Sequence, residues 1–135
     1  MAGLAESVKG TEVVNMAENY AKMVGILFMS RTYSHMAHLR TGSFATHKAL
    51  NDFYDDILEV TDKFAETTQG LYGRLDVPYI NLMGKVEEPI GALTSHLKAL
   101  EKLCGDECGE EYLENILQEI QAIYRQTLYK LINLS

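Results

Sequence analysis

The stretch HKALNDFYDDILEVTDKFAE, residues 47–66, decides the fold. At about 100° of rotation per residue, Leu50, Phe53, Ile57 and Phe64 share one side and read as the buried stripe of an amphipathic helix. His47, Asn51, Tyr54, Leu58, Asp62, Ala65 and Glu66 fall on the adjoining face. An imidazole and two carboxylates therefore edge the buried side, and something must either solvate them or finish burying them.

Apolar residues recur at three- and four-residue intervals along most of the chain, and only two prolines interrupt it, which predicts four helices. The first runs from about Glu6 to about Leu39, with Val13, Met16, Ala17, Tyr20, Met23, Val24, Leu27 and Phe28 on one broad apolar side. Gly42 is expected to take the positive φ of a helix terminus, and Ser43 to cap a second helix that reaches Gln69 and stops at Gly70. So short a loop makes these two helices antiparallel neighbours. Residues 70–86 form a connection broken by Gly73, Pro78 and Gly84, and its apolar LDVPYINLM segment is expected to pack or to form a short helix. The third helix starts around Glu87 and Pro89, since proline is tolerated in a first turn, and ends near Cys104. Gly105 and Asp106 mark a turn. The fourth spans about Glu107 to Leu134, with Tyr112, Ile116, Ile120, Ile123, Leu128 and Leu131 on its stripe. The fold class is all-α, an antiparallel four-helix bundle, with residues 1–135 as one domain.

Composition narrows the function. The net charge of −7 and the pI near 5.0 argue against a surface that binds nucleic acid by neutralising phosphates, and favour binding of cations. No signal peptide and no apolar run of roughly 20 residues is visible, so a cytoplasmic protein is expected. Cys104 and Cys108 form a single C-x3-C, which is no disulfide framework, and reduced thiols are expected.

Asp62 and Glu66 stand four apart, a spacing that lets two carboxylates on one helix reach a cation. Taken singly they read as a solvated face, and His47 as a helix-start residue. His35, near the end of the first helix, adds an imidazole across the turn. The combined pattern H-x11-H-x14-D-x3-E, carried by His35, His47, Asp62 and Glu66 in a helix-turn-helix unit, resembles the Dps family of mini-ferritins. The likeness continues through LTSHLKALEKL and ILQEIQAIYRQTLYKLINL. It implies a ferritin-like bundle, with a short helix or packed loop between helices 2 and 3, assembled as a homo-oligomer from dimer to hollow dodecamer. It also implies a ferroxidase that takes Fe2+ to Fe3+ with peroxide or oxygen and stores the mineral. In that resemblance His35 and His47 come from one chain, and Asp62 and Glu66 from its two-fold partner. Imidazole plus carboxylate suits Fe2+ chemistry.

The sequence departs from that family at several points. Asn51 stands where an additional acid is usual, Met36 follows His35 where tryptophan is common, and the E-x-x-H motif of larger ferritins is absent. Lys9 is the sole base of the N-terminal extension, so no strong direct DNA binding is expected. A ferritin-like structural or interaction protein with a degenerate metal site is the alternative. His38 reads as an exposed helix-end residue, and His96 as an isolated helix-surface or core-edge histidine. Cys104 and Cys108 lack a second Cys/His pair for zinc. Met16, Met23, Met29 and Met36 read as adaptable packing.

Overall fold

A computed structural model describes residues 3–79, 87–105 and 108–134, with side chains of the first helix described from Asn15 onward. Four helices are present in it: α1 (Gly3–Arg40), α2 (Phe44–Tyr72), α3 (Pro89–Cys104) and α4 (Glu111–Asn133). Gly84, the later part of LDVPYINLM, Asp106 and Glu107 lie outside the described residues.

Local chemistry sets the helix starts. The Ser43 hydroxyl accepts the Thr46 amide at 3.2 Å and begins α2. The Glu88 carboxylate accepts the Gly91 and Ile90 amides at 2.6 and 3.1 Å, and Pro89 follows in the first turn of α3. α4 begins after Glu110, whose side chain makes no capping bond.

Two glycine expectations are corrected. Among the described residues the positive-φ glycines are Gly73, Gly105 and Gly109, and Gly42 is not one of them. Gly70 does not end α2 either. The helix runs on to Tyr72 and stops at Gly73, with φ of 86°, where the Gln69 side-chain oxygen accepts the Leu75 amide at 3.1 Å. An exposed glycine inside a helix costs only about 1 kcal/mol relative to alanine, which a continuing apolar face overrides. On α4, Tyr112 is exposed, whereas Leu113, Leu117 and Tyr124 join Ile116, Ile120, Leu128 and Leu131 in the core.

α1 and α4 stand diagonally, each packed between α2 and α3. Side-chain pairs give the directions. Tyr20 of α1 stacks on Tyr72 near the end of α2, while His38 meets His47 near its start. Asn19 reaches the Leu103 carbonyl at the end of α3, and Ser30 meets His96 further back along it. Asp52 of α2 pairs with Lys130 near the end of α4. All four adjacent pairs are thus antiparallel, while α2 and α3 run the same way. The connection between them must climb the length of the bundle, and its described ends lie against α1. Pro78 lies so close to Gly25 that a Cβ there would stand 3.1 Å from its ring, and the Glu87 carbonyl accepts the Tyr33 hydroxyl at 2.5 Å. The described part, residues 73–79, is a packed loop with Leu75 and Val77 against the core. No described helix is long and apolar enough to cross a membrane.

The core is made by Leu27, Leu50, Phe53, Ile57, Phe64, Leu93, Leu97, Leu113 and Ile120, all essentially without solvent contact. Phe53 meets Tyr124 edge to face at 5.0 Å between centroids, an arrangement that adds to area burial. The apolar side of residues 47–66 is therefore the one on which the bundle closes.

Cys104 and Cys108, expected as reduced thiols, are joined as a disulfide across the α3–α4 turn. With Gly105 at a φ of 71°, the chain reverses tightly enough to leave the two Cα atoms 5.1 Å apart.

Candidate functional site

The histidines gather at one end of the bundle, where α1 turns into α2. His38 and His47 stack with ring centroids 3.5 Å apart. The Nδ1–H of His38 donates to the His47 carbonyl at 2.7 Å, and that of His47 donates to the His38 carbonyl at 2.8 Å. A carbonyl can only accept, so these bonds place the Nδ1 protons and leave each Nε2 facing outward from its bond. His35, one turn earlier on α1, stacks on Tyr54 at 4.1 Å. The guanidinium of Arg31 lies 5.9 Å from the same Tyr54 ring. The Tyr54 hydroxyl donates to the Asn51 side-chain oxygen at 2.7 Å.

This stack revises the reading of several residues. His38 is buried rather than exposed, because the reciprocal bonds hold its ring between α1 and α2. Asn51, which stands where the Dps pattern usually has an acid, accepts the Tyr54 hydroxyl. Met36 is half exposed, on the solvent side of α1. Asp62 and Glu66 are exposed and form no ion pair among the described residues. Asp62 lies roughly 22 Å along α2 from His47, at about 1.5 Å per residue, so one chain does not bring the two pairs together. Among the described residues no group of three or more His, Cys, Asp or Glu side chains is arranged to hold a metal ion.

A second polar centre lies deeper. The Tyr124 hydroxyl donates to Ser30 Oγ at 2.5 Å, and Ser30 Oγ meets His96 Nδ1 at 2.8 Å. Ser30 and Tyr124 are fully buried. Burial pushes the Tyr124 hydroxyl pKa up, so it stays a donor, and burial lowers the His96 pKa against a smaller opposing pull from Glu87. A neutral His96 accepts the Ser30 proton at Nδ1, which makes the chain directional. Tyr33, edge-on to His96, has its hydroxyl pushed up to about 12 by burial and by Glu88 and Glu87. His96 is thus part of an interhelical network, and the only sequence signal for it was a lone histidine on an apolar helix. The neighbouring Ser34 Oγ and Arg31 Nε are buried with no hydrogen-bond partner among the described residues.

The same end of the bundle exposes large apolar side chains. Leu39 and Phe44 are 72% and 79% exposed, Met36 is beside them, and Tyr129, Ile132 and Leu134 are exposed at the end of α4. The Lys130–Asp52 pair sets that end of α4 beside the start of α2. No acidic residue stands between Glu18 and Asp52, and none follows Glu119. In a chain of net charge −7, the α1–α2 turn and the last turns of α4 carry no carboxylate side chain, while Asp52 of α2 and Glu87 and Glu88 at the start of α3 stand at the same end. Sequence periodicity could not find this tip, because its apolar residues lie off the core stripes of their helices.

Comparison with known proteins gives a family different from the one expected. The model of a family described as of unknown function, DUF5856, matches residues 38–131. A curated relative from Enterobacteria phage T4, an uncharacterized 14.6 kDa protein in the mobD-ri intergenic region, is 26% identical over 114 residues, covering 80% of this chain and 84% of the relative. No solved structure matches. The resemblance to the Dps family is therefore corrected: the His35, His47, Asp62, Glu66 spacing is shared by pattern, while the bulk of the chain matches another family. Spacing between four polar residues on two helices constrains little, since any helical hairpin has many such positions. The chain belongs to the family of unknown function DUF5856.

Proposed function

We propose that this protein works by docking, as a homodimer formed through the tip of the α1–α2 hairpin. The supporting observation is the exposure of Met36, Leu39, Phe44, Tyr129, Ile132 and Leu134 at one end of the bundle, on an α1–α2 turn and an α4 end that carry no carboxylate side chain. With roughly 100 Å² of each such side chain still exposed, the apolar area is about 600 Å² per copy. Two copies meeting there would bury at most about 1,200 Å², the lower end of stable interfaces, since α1 and α4 stand diagonally and share the tip only through their ends. Electrostatics favours the same contact. Two chains of net charge −7 repel over most of their surfaces, and least where acids are scarce. Lys48 and Lys130 are paired with Asp52, and Arg40 at the end of α1 stands at the same end as Glu87 and Glu88, so the charges there are of both signs. In this reading the His38–His47 stack holds the hairpin rigid so that Leu39 and Phe44 are presented in fixed positions.

The finer architectural expectation, ferritin-like connectivity, is a proposal about chain path alone. The single long return between α2 and α3 supports it. Iron oxidation at a site shared between chains is the competing functional proposal. It needs a second copy's Asp62 and Glu66 beside His35 and His47, which a tip-to-tip contact does not supply.

Light scattering from micromolar to submillimolar protein tests the docking reading. The parent is expected at twice the chain mass, and Leu39→Glu with Phe44→Glu at the chain mass with unchanged helical content. A monomeric parent, or a dimer unaffected by the pair of substitutions, would overturn it.

A further inference from the structure

We propose that Cys104–Cys108 is a reversible thiol–disulfide exchange site, open to a small dithiol, that controls how firmly the start of α4 is held. The inference rests on a different end of the molecule from the docking tip. α2 and α3 each begin with a side-chain cap, Ser43 and Glu88, whereas the Glu110 side chain at the start of α4 makes none. Two other devices take its place. One is the covalent bridge from the last residue of α3 to Cys108. The other is Tyr20, whose hydroxyl donates to the Cys108 carbonyl at 3.0 Å and whose ring is packed between Phe64 and Tyr72 of α2. Gly109 fits directly under that hydroxyl.

The two sulfurs differ in access. Cys108 is buried and Cys104 only partly so, which directs an attacking thiolate to Cys104 Sγ. In that step a new S–S bond forms to Cys104, the Cys104–Cys108 bond breaks, and Cys108 leaves as a thiolate that takes up a proton. The second thiol of the same dithiol then attacks its own mixed-disulfide sulfur, releasing the Cys104 thiol. The protein gains two thiols and the dithiol becomes a cyclic disulfide, so electrons balance. Reduction leaves the α4 start with the Tyr20 bond and no covalent tie or side-chain cap.

Hydrogen exchange on the full chain, with and without dithiothreitol, tests this, alongside thiol counting by alkylation and mass spectrometry. The oxidised protein is expected to show no free thiol, and the reduced protein two. Exchange at the amides of residues 114–117, the first to be hydrogen-bonded within α4, is expected to rise about tenfold or more on reduction, while the Glu88-capped start of α3 is unchanged. Cys104→Ser with Cys108→Ser should exchange like the reduced parent and ignore dithiothreitol. Two free thiols persisting after treatment with oxidised dithiothreitol or diamide would overturn the proposal. So would equal exchange at 114–117 in the oxidised and reduced parent, a comparison that needs no variant to fold.

Discussion

Replacing Ser30 by alanine removes one oxygen from the interior and strands one of its two partners. Ser30 Oγ is the acceptor for the Tyr124 hydroxyl at 2.5 Å and the neighbour of His96 Nδ1 at 2.8 Å, and both Ser30 and Tyr124 have no solvent contact. In Ser30→Ala the Tyr124 hydroxyl is left protonated, buried and without an acceptor, which costs about 1–3 kcal/mol. His96 is partly open to solvent and can turn its nitrogen to water, so it adds little. Tyr124→Phe removes the donor itself, leaves Ser30 paired with His96, and should cost about 1 kcal/mol. Once Tyr124 is phenylalanine, Ser30→Ala no longer strands a hydroxyl there. The double variant should therefore be no less stable than Ser30→Ala alone, a coupling of about 1 kcal/mol or more. Urea unfolding followed by circular dichroism measures all four corners of the cycle, and in a thermal scan Ser30→Ala should lower Tm by roughly 3–12 °C. Ser30→Ala within about 0.5 kcal/mol of the parent, or strictly additive losses, would refute the network as a determinant of stability.

Other outcomes follow from single contacts. Because burial lowers the His96 pKa, the unfolded chain takes that proton first as pH falls; the associated stability is complete above about 6.5, declines below it, and should lose this dependence in His96→Asn. Gly73 and Gly109 have nearly the same positive φ, 86° and 85°, but a Cβ meets nothing at Gly73 and would stand 2.5 Å from the Tyr20 hydroxyl at Gly109. Gly73→Ala should cost about 1 kcal/mol and Gly109→Ala about 1–2 kcal/mol more, measured by denaturant midpoints. Asp62→Ala with Glu66→Ala should change stability by less than about 0.5 kcal/mol, since both side chains are exposed. On the docking reading, the parent and this variant should oxidise Fe2+ no faster than a protein-free control, as followed by ferric absorbance; acceleration lost in the variant would favour the iron proposal.

The bundle was legible because its cause is periodic. Leu50, Phe53, Ile57 and Phe64 repeat at helical intervals, and burying that stripe is the largest favourable contribution available to the chain. Ser43 and Pro89 were legible because capping and first-turn proline are local rules. Gly70 misled because a strong apolar face carries a helix through a weak glycine. The site was less legible, since it depends on which residues meet across helices. His35 and His47 were singled out for their type, yet their partners are Tyr54 and His38, a stacked contact that spacing along one helix does not encode. The Ser30–His96–Tyr124 chain joins three helices and leaves no mark in any local pattern. The four-residue likeness to Dps failed for a related reason: spacing records register on two helices and says nothing of what lies between them.

Site-directed disulfide trapping tests the tip contact most directly. Phe44→Cys places a thiol on the proposed dimer face, and Leu71→Cys places one near the opposite end of α2, where Leu71 is also exposed. Under mild oxidation Phe44→Cys is expected to give a covalent dimer on a non-reducing gel, while Leu71→Cys stays at the chain mass. Equal cross-linking at both positions, or cross-linking only at Leu71→Cys, would contradict docking through the tip.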